Sequence, residues 1–434
     1  MKSVQIGILG FGTVGSGVVK LIQENGALLE QRLGGQVVVR RIADIDIHRR
    51  RNVDVDPTIL TTDAMAVLED PAIDIVVELI GGCGIALRFC REALNRNKHL
   101  VTANKALLAT HGLELYRTAA ARRVSIGFEA SVCGGIPLIR AVKEGLVADR
   151  VRSIIGIVNG TCNYILTTMT DSKRPFADVL AEAQAHGYAE ADPSFDVDGI
   201  DSAHKLQILA TLAFGTYVPF DRIHVEGIRQ IDASDIEYAR ELGYRIKLLA
   251  IAKQLNGKLE ARVHAALVSE DHLLASVGGV HNAVYVVGDA VGSLMFYGRG
   301  AGQMPTASAV VSDIAEIARN LLHDPTARGV LPPQISEAEA EVKDMATVHS
   351  CYYLRIMAID KPGVLSRVTG ILGSNNISIV SVIQKGRHEQ SAVPIVILTH
   401  EAAEGDMQRS LRAIDQLDVV SEETVCLRVE GVTD

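Results

Sequence analysis

Val4 to Leu9 is apolar with almost no alternation, the pattern of a strand buried on both faces of a parallel sheet. "GFGTVG" follows, and "SGVVKLI" after it reads as a helix. Further strands are predicted at Gln36 to Ala43, Ile73 to Leu79 and His99 to Thr102, the last after the amphipathic helix "FCREALNRN". Strands alternating with helices in this way make a doubly wound α/β sheet. From about Gly134 the rhythm changes. Val151 to Val158 is strand-like and runs into "NGTCNYIL", a turn opening a helix, and Phe176 to His186 is a helix with Gly187 as its C′ residue. Two β-rich runs then flank Asn256-Gly257, a strong hairpin signal, and "AVYVVG" and "GSLMFYG" add strands. This is an α+β region with a mostly antiparallel sheet. Pro305 fits a first helical turn, and the helix to about Leu321 is expected to pack back on the first domain.

Asp324 to Val348 is rich in charge and proline and reads as a linker. Beyond it, Tyr352 to Ile359, "ISIVSVIQ", "AVPIVILTH" and "VVSEETVCLRV" read as strands, and "DKPGVLSRVTGILGSNN" and "EGDMQRSLRAI" as a turn plus helix and a helix. The order βαββαβ is ferredoxin-like.

Composition narrows the function classes. A chain of 434 residues makes about three domains at roughly 150 residues each. A formal charge of −9 opposes a nucleic-acid or anionic-membrane partner, which needs a basic face. No secretory h-region with a cleavage site is seen, and no apolar run reaches the ~18 residues that span a bilayer. The six cysteines form no CxxC pair and read as reduced thiols of a cytoplasmic protein.

The glycine turn carries the first chemistry. Gly10 permits a tight turn, Gly12 lets backbone approach a pyrophosphate, and Gly15 lets the helix pack close, with its N-terminal N–H groups facing phosphate. Asp44, after the second strand, could hold an adenosine ribose. Arg40, Arg41, Arg49, Arg50 and Arg51 surround it, so either a solvated loop or a 2′-phosphate site fits, and NADP and NAD both remain open. Lys105 in "VTANKALLA" follows a strand's carboxyl end at a helix start, where the helix dipole disfavours a cation. Either its stem reaches out to water or it faces substrate.

"EADPSFDVDGIDSAHK" packs acids around one lysine. A calcium loop is excluded, because Lys205 would stand where an EF-hand needs its bidentate glutamate. Asp201 and Lys205 instead share a helix face at i,i+4, beside a largely apolar face. A surface ion pair is the plain alternative. Glu190, Asp192 and Asp196 precede the helix and suit an organic ammonium group, with Lys205 handling the proton.

Taken together, "GFGTVGSG", "VVELIGG", "VTANKALLA", "FEASVCGGIP", "NGTCNYIL", "GYAEADPSFDVDGIDSAHKL" and "GRGAGQMPTASAVVSDI" resemble the homoserine dehydrogenase family in its long form, nearly end to end. "DKPGVL" with "NNISIVSV" resembles the ACT domain. The resemblance implies a Rossmann-type domain at 1–135 completed by a helix at 305–322, a catalytic and dimerisation domain at 136–304, a linker at 323–349 and an ACT domain at 350–434. It implies reduction of L-aspartate 4-semialdehyde to L-homoserine with NADP or NAD, in a homodimer or homotetramer. Phe11, Thr13 and Val14 would lie on the cofactor loop, with Gly187 and Gly302 close to the cofactor. Lys105 and Lys205 would be the active-site lysines, Lys205 the proton donor, Glu190 a substrate contact, and Asp196 and Asp201 the rest of that site. Glu129 with the carbonyls of Val132, Gly134 and Ile136 would match a sodium site. A single carboxylate among carbonyls suits such an ion better than zinc. Asp360, Gly363, Val364, Asn376 and Ile377 would line an amino-acid effector site, L-threonine by end-product logic, unless the domain serves only to dimerise. Two rivals are a redox-inert NAD(P)-binding amino-acid sensor and an ACT-bearing 2-hydroxyacid dehydrogenase. The first would lack Lys105, Lys205 or Glu190, and the second would carry its glycine turn mid-chain.

Overall fold

A computed structural model of the chain describes residues 2–323, 335–385 and 392–431. It divides into two compact units, one of residues 1–151, 204–220 and 296–340, the other of 152–203, 221–295 and 341–434. Residues 324–334 of the predicted linker lie outside the described residues.

The first unit is built on a six-stranded sheet in which Leu60–Thr61, Gln36–Ala43, Ser3–Leu9, Ile75–Glu78, His99–Thr102 and Ile126–Gly127 lie side by side in that order. All its pairings are parallel. The first strand enters at the middle and the order reverses beside it, which leaves a crevice at the carboxyl ends of the strands. Ile6, Ile8, Ile75 and Val77 are fully buried, as their unbroken apolar run predicts.

The helix Gln303–His323, distant in sequence, completes the core by packing Ala307, Val310 and Ile314 against Val18, Val19 and Ile22 of the helix Thr13–Glu24. The approach is close enough that a Cβ on Gly17 would sit 2.9 Å from Gln303 and 3.1 Å from Ala307. Of the residues predicted as linker, Ser336–Glu339 form a short strand on Thr216–Tyr217.

The second unit is organised by one long sheet. Its strand order is Gly292–Arg299, His281–Gly288, Val151–Ile157, Tyr244–Leu255, Lys258–Ser269, Val425–Glu430, His349–Ile359, Ala392–Thr399 and Ile379–Gln384. Asn256 and Gly257, both with positive φ (52° and 80°), turn the predicted hairpin, and its strands pair from Tyr244↔Ser269 to Leu255↔Lys258. The C-terminal βαββαβ order is as predicted, with helices Val364–Ser374 and Glu404–Asp415.

Two further features differ from the sequence reading. The last strand is continuous only from Val425: Val420 still bridges Ala358, but the run is then interrupted, and Thr424 turns its N–H and hydroxyl to the Asp415 carboxylate. The C-terminal sheet also does not stop at its own edge. Arg428–Glu430 pair in parallel with Ala266–Val268, so the two antiparallel sheets run on as one.

Candidate active site

Gly10 has φ +99°, and a Cβ there would come within 2.7 Å of the Leu79 carbonyl. Gly12 has open space around it, which leaves its backbone accessible to a ligand. Gly15 is needed for a reason the sequence does not reveal: a Cβ on it would lie 2.2 Å from the Gly10 carbonyl oxygen, so the turn closes on itself. Thr13 begins the following helix.

A cavity of about 650 Å³ opens beside the turn, lined by Gly10, Gly12, Asp44, Arg49, Arg51 and Arg88 among others. Asp44 accepts the Phe11 N–H at 2.5 Å and the Asp46 N–H at 2.8 Å, and lies 3.3 Å from the Arg51 guanidinium. Arg51 in turn donates to the Phe11 carbonyl and lies 4.5 Å over its ring. Arg40 is turned to Asp70 at 2.8 Å and is not among the lining residues.

Lys105 is the first residue of the helix Lys105–Arg122, which Asn104 caps by accepting the Leu107 N–H at 3.1 Å. Beneath it lies a network the sequence reading missed. Glu78, fully buried, accepts N–H groups from Ile80 and Gly81 and the Thr102 hydroxyl at 2.6 Å. Asn104 donates to the Gly82 carbonyl at 2.6 Å. The only signal for this in the sequence is a carboxylate closing an apolar strand in "VVELIGG". The network ties the Gly81-Gly82 turn to the helix start that carries Lys105.

In the second unit, Asn159 organises the acids. Its carboxamide NH₂ donates to Asp196 at 2.7 Å and to Asp201 at 2.8 Å, while its side-chain oxygen accepts the Cys162 N–H and caps the helix Gly160–Ser172. This residue too was read only as part of a turn. Glu190 is exposed and lies between Gly187, at φ +72°, and the short helix Ser194–Val197. Asp201 and Lys205 stand one turn apart on the helix Ile200–Phe214, which crosses the division between the units. They are 1% and 8% exposed, so neither forms a surface ion pair. The glycine turn, Asp44, Lys105, Lys205 and Gly302 belong to the first unit, and Gly187, Glu190, Asp196 and Asp201 to the second.

Glu129 is buried and accepts backbone N–H groups of Ile139 and Arg140 at 2.8 and 2.9 Å. Its own N–H donates to Asp313. Burial raises the Glu129 carboxyl and lifts Asp313 to about 8. Nearby positive charge would favour both in ionised form. Cys133 and Gly134 have positive φ, and the Ile136 carbonyl accepts the Leu138 N–H at 2.7 Å. Among the described residues no group of three His, Cys, Asp or Glu is arranged to hold a metal.

In the C-terminal part Gly363, at φ +91°, starts the helix Val364–Ser374, and Asn376 has φ +61°. Val364 and Ile377 are buried, and Asp360 precedes the turn. No helix among the described residues is long and apolar enough to cross a membrane.

A parallel sheet with a glycine turn at its crevice, an acid-and-lysine helix and a ferredoxin-like C-terminal module define an NAD(P)-dependent oxidoreductase with an ACT domain. Family profiles agree: residues 10–129 match "Homoserine dehydrogenase, NAD binding domain", 137–315 match "Homoserine dehydrogenase", and 352–419 match "ACT domain". Homoserine dehydrogenase of Pseudomonas aeruginosa is 46% identical over 99% of both chains, and that of Neisseria gonorrhoeae 44% over 100% of both. The crystal structure of a homoserine dehydrogenase from Thiobacillus denitrificans superposes with a TM-score of 0.91 at 44% identity, covering 99% of each chain. The chain belongs to the homoserine dehydrogenase family. Neither rival reading finds support in these comparisons.

Proposed function

We propose that Lys205 is the proton donor in the reversible reduction of L-aspartate 4-semialdehyde to L-homoserine. The observation that carries this is the placement of a buried lysine and a buried aspartate one helical turn apart on the same helix. A neighbouring carboxylate keeps a lysine charged, as an acid must be in the reductive direction. Bound NAD(P)H supplies the hydride. Lys205 stabilises the developing alkoxide and protonates it, so that one hydride and one proton convert the aldehyde to the alcohol. Glu190, Asp196 and Asp201 hold the α-ammonium group, and Lys105 faces substrate.

The Asp44 oxygens are already engaged by Phe11, Asp46 and Arg51, and Arg49 and Arg88 line the same cavity. These cations favour the 2′-phosphate of NADP over the bare ribose of NAD. Glu129 with the Val132, Gly134 and Ile136 carbonyls would hold a sodium ion. The buried carboxylates support this, although two lone pairs of Glu129 are already used by backbone N–H groups. An amino acid, L-threonine by pathway logic, would bind at Asp360, Gly363, Val364, Asn376 and Ile377 between paired copies of the chain.

Lys205→Ala tests the assignment. Reduction should slow by roughly 100-fold or more while NADPH binding, followed by fluorescence titration, persists. If turnover barely changes, Lys205 is not the donor, and Lys105→Ala is then the informative variant.

A further inference from the structure

The C-terminal strand Val425–Glu430 inserts Arg428 into the second unit, where it is 2% exposed. Its guanidinium spans two carboxylates. It donates from Nη1 and Nη2 to Glu226 at 2.7 and 3.0 Å, and from Nε and Nη2 to Glu404 at 2.8 and 2.6 Å. Glu404 begins the second helix of the ACT module, so that contact is internal to the module. Glu226 belongs to the catalytic part, just after the short strand His224–Val225.

Glu226 stands where the chain has no freedom to shift. Its N–H donates to the Val263 carbonyl at 2.8 Å, and two residues on, Ile228 donates to the Val197 carbonyl at 2.9 Å. A Cβ on Gly227 would lie 2.1 Å from the Val197 oxygen and 2.7 Å from Asp198 Cα. A Cβ on Gly199 would lie 3.0 Å from the Glu226 oxygen. Residues 226–228 are therefore pressed backbone to backbone on the segment 197–199, which lies between Asp196 and Asp201. Arg229 straps the same segment by pairing with Asp198 and donating to Ser194 at 3.0 Å. A displacement of Glu226 must move the loop that presents the acids.

We propose that Glu226 and Arg428 are positioning residues for the acidic substrate loop, their salt bridge being the joint through which the ACT sheet sets that loop. Bidentate geometry fixes both distance and angle, which a single contact would not. The parallel pairing of Arg428–Glu430 with Ala266–Val268 supplies the rigid mount. Burial alone would raise the Glu226 carboxyl, but hydrogen bonds from His224 and Arg428 overcome it and hold the group well below the usual carboxylate range. Glu226 is thus charged whenever the enzyme works, and the joint is permanently made. A ligand that shifts the ACT strands acts on the substrate loop by this route and leaves the glycine turn alone.

The inference rests on the dehydrogenase reading, and steady-state kinetics of the full chain test it. In Glu226→Gln the KM for aspartate semialdehyde should rise by about tenfold, with the KM for NADPH within about twofold of wild type and kcat largely kept. Arg428→Lys keeps a cation beside Glu404 but loses the fork to Glu226, and should show the same split at smaller amplitude. Circular dichroism establishes which variants fold. If Glu226→Gln does not, Arg428→Lys carries the test. Folded variants whose semialdehyde KM equals wild type, or whose two KM values rise together as kcat falls, overturn the proposal. A wild type inactive with the semialdehyde removes the dehydrogenase reading and this one with it. An active wild type with unshifted variants removes only the coupling.

Discussion

His99 begins a central parallel strand with only 8% exposure, and its Nδ1 accepts the Ser125 N–H at 3.0 Å. Burial lowers its pKa from 6.5 to about 4. The folded protein therefore resists protonation while the unfolded chain accepts it, and stability rises with pH wherever the unfolded state binds more protons. This contribution is complete above pH 6.5 and is lost as pH falls from 6.5 to about 4, at most roughly 3 kcal/mol. His99→Gln keeps an acceptor without the titration. Its unfolding midpoint should lie below wild type at pH 7 and converge on it, or pass it, by pH 4. Parallel midpoints across that range would show that His99 titrates normally. Residues of this kind were the least legible in the sequence. Asp44 could be named as the acid after the second strand, but not that its oxygens serve Phe11, Asp46 and Arg51. Asn159 and Glu78 escaped notice because an amide or a carboxylate gains its role from partners brought near by folding.

Elements whose physics is local were legible. The strand Gln36–Ala43, the hairpin at Asn256-Gly257 and the start of the helix at Lys105 stand where pattern and turn chemistry put them. The strand Val425–Glu430 was half read: its apolar alternation was visible, but the interruption after Val420, where Thr424 pairs with Asp415, was not. The glycine turn shows how a local element constrains chemistry. Since a Cβ on Gly15 would meet the Gly10 oxygen at 2.2 Å, Gly15→Ala must open the turn and tilt the first helical N–H groups away from a bound pyrophosphate. The expected result is cofactor affinity weaker by about tenfold or more, with near-native circular dichroism. Unchanged affinity in a fluorescence titration would mean that the turn does not hold the phosphates.

At the scale of the whole molecule the decisive feature is the run of one sheet through the catalytic and ACT parts of the second unit. Nothing in the sequence announces it, since strand edges pair through backbone groups that every residue carries. It follows that the ACT module covers an edge. Along the strand Lys258–Ser269 the outer side meets Val342 at Leu259, the strand His224–Val225 at Arg262 and Val263, and the C-terminal strand at Ala266–Val268. The module also supplies Glu430 to Arg262 and Lys253, and Arg428 to Glu226. A chain ending before His349 would expose the backbone of Ala266, Leu267 and Val268 on a strand of mainly apolar residues, the setting in which edges recruit other chains. Arg262, Lys253 and Glu226 would lose these partners, which weakens the fold at the buried Arg262, and the open edge should govern association. Light scattering should find particles that grow with concentration in the truncated protein and not in the full chain. A truncated protein of constant particle size would mean that the C-terminal strand is docked on an edge already able to stand alone.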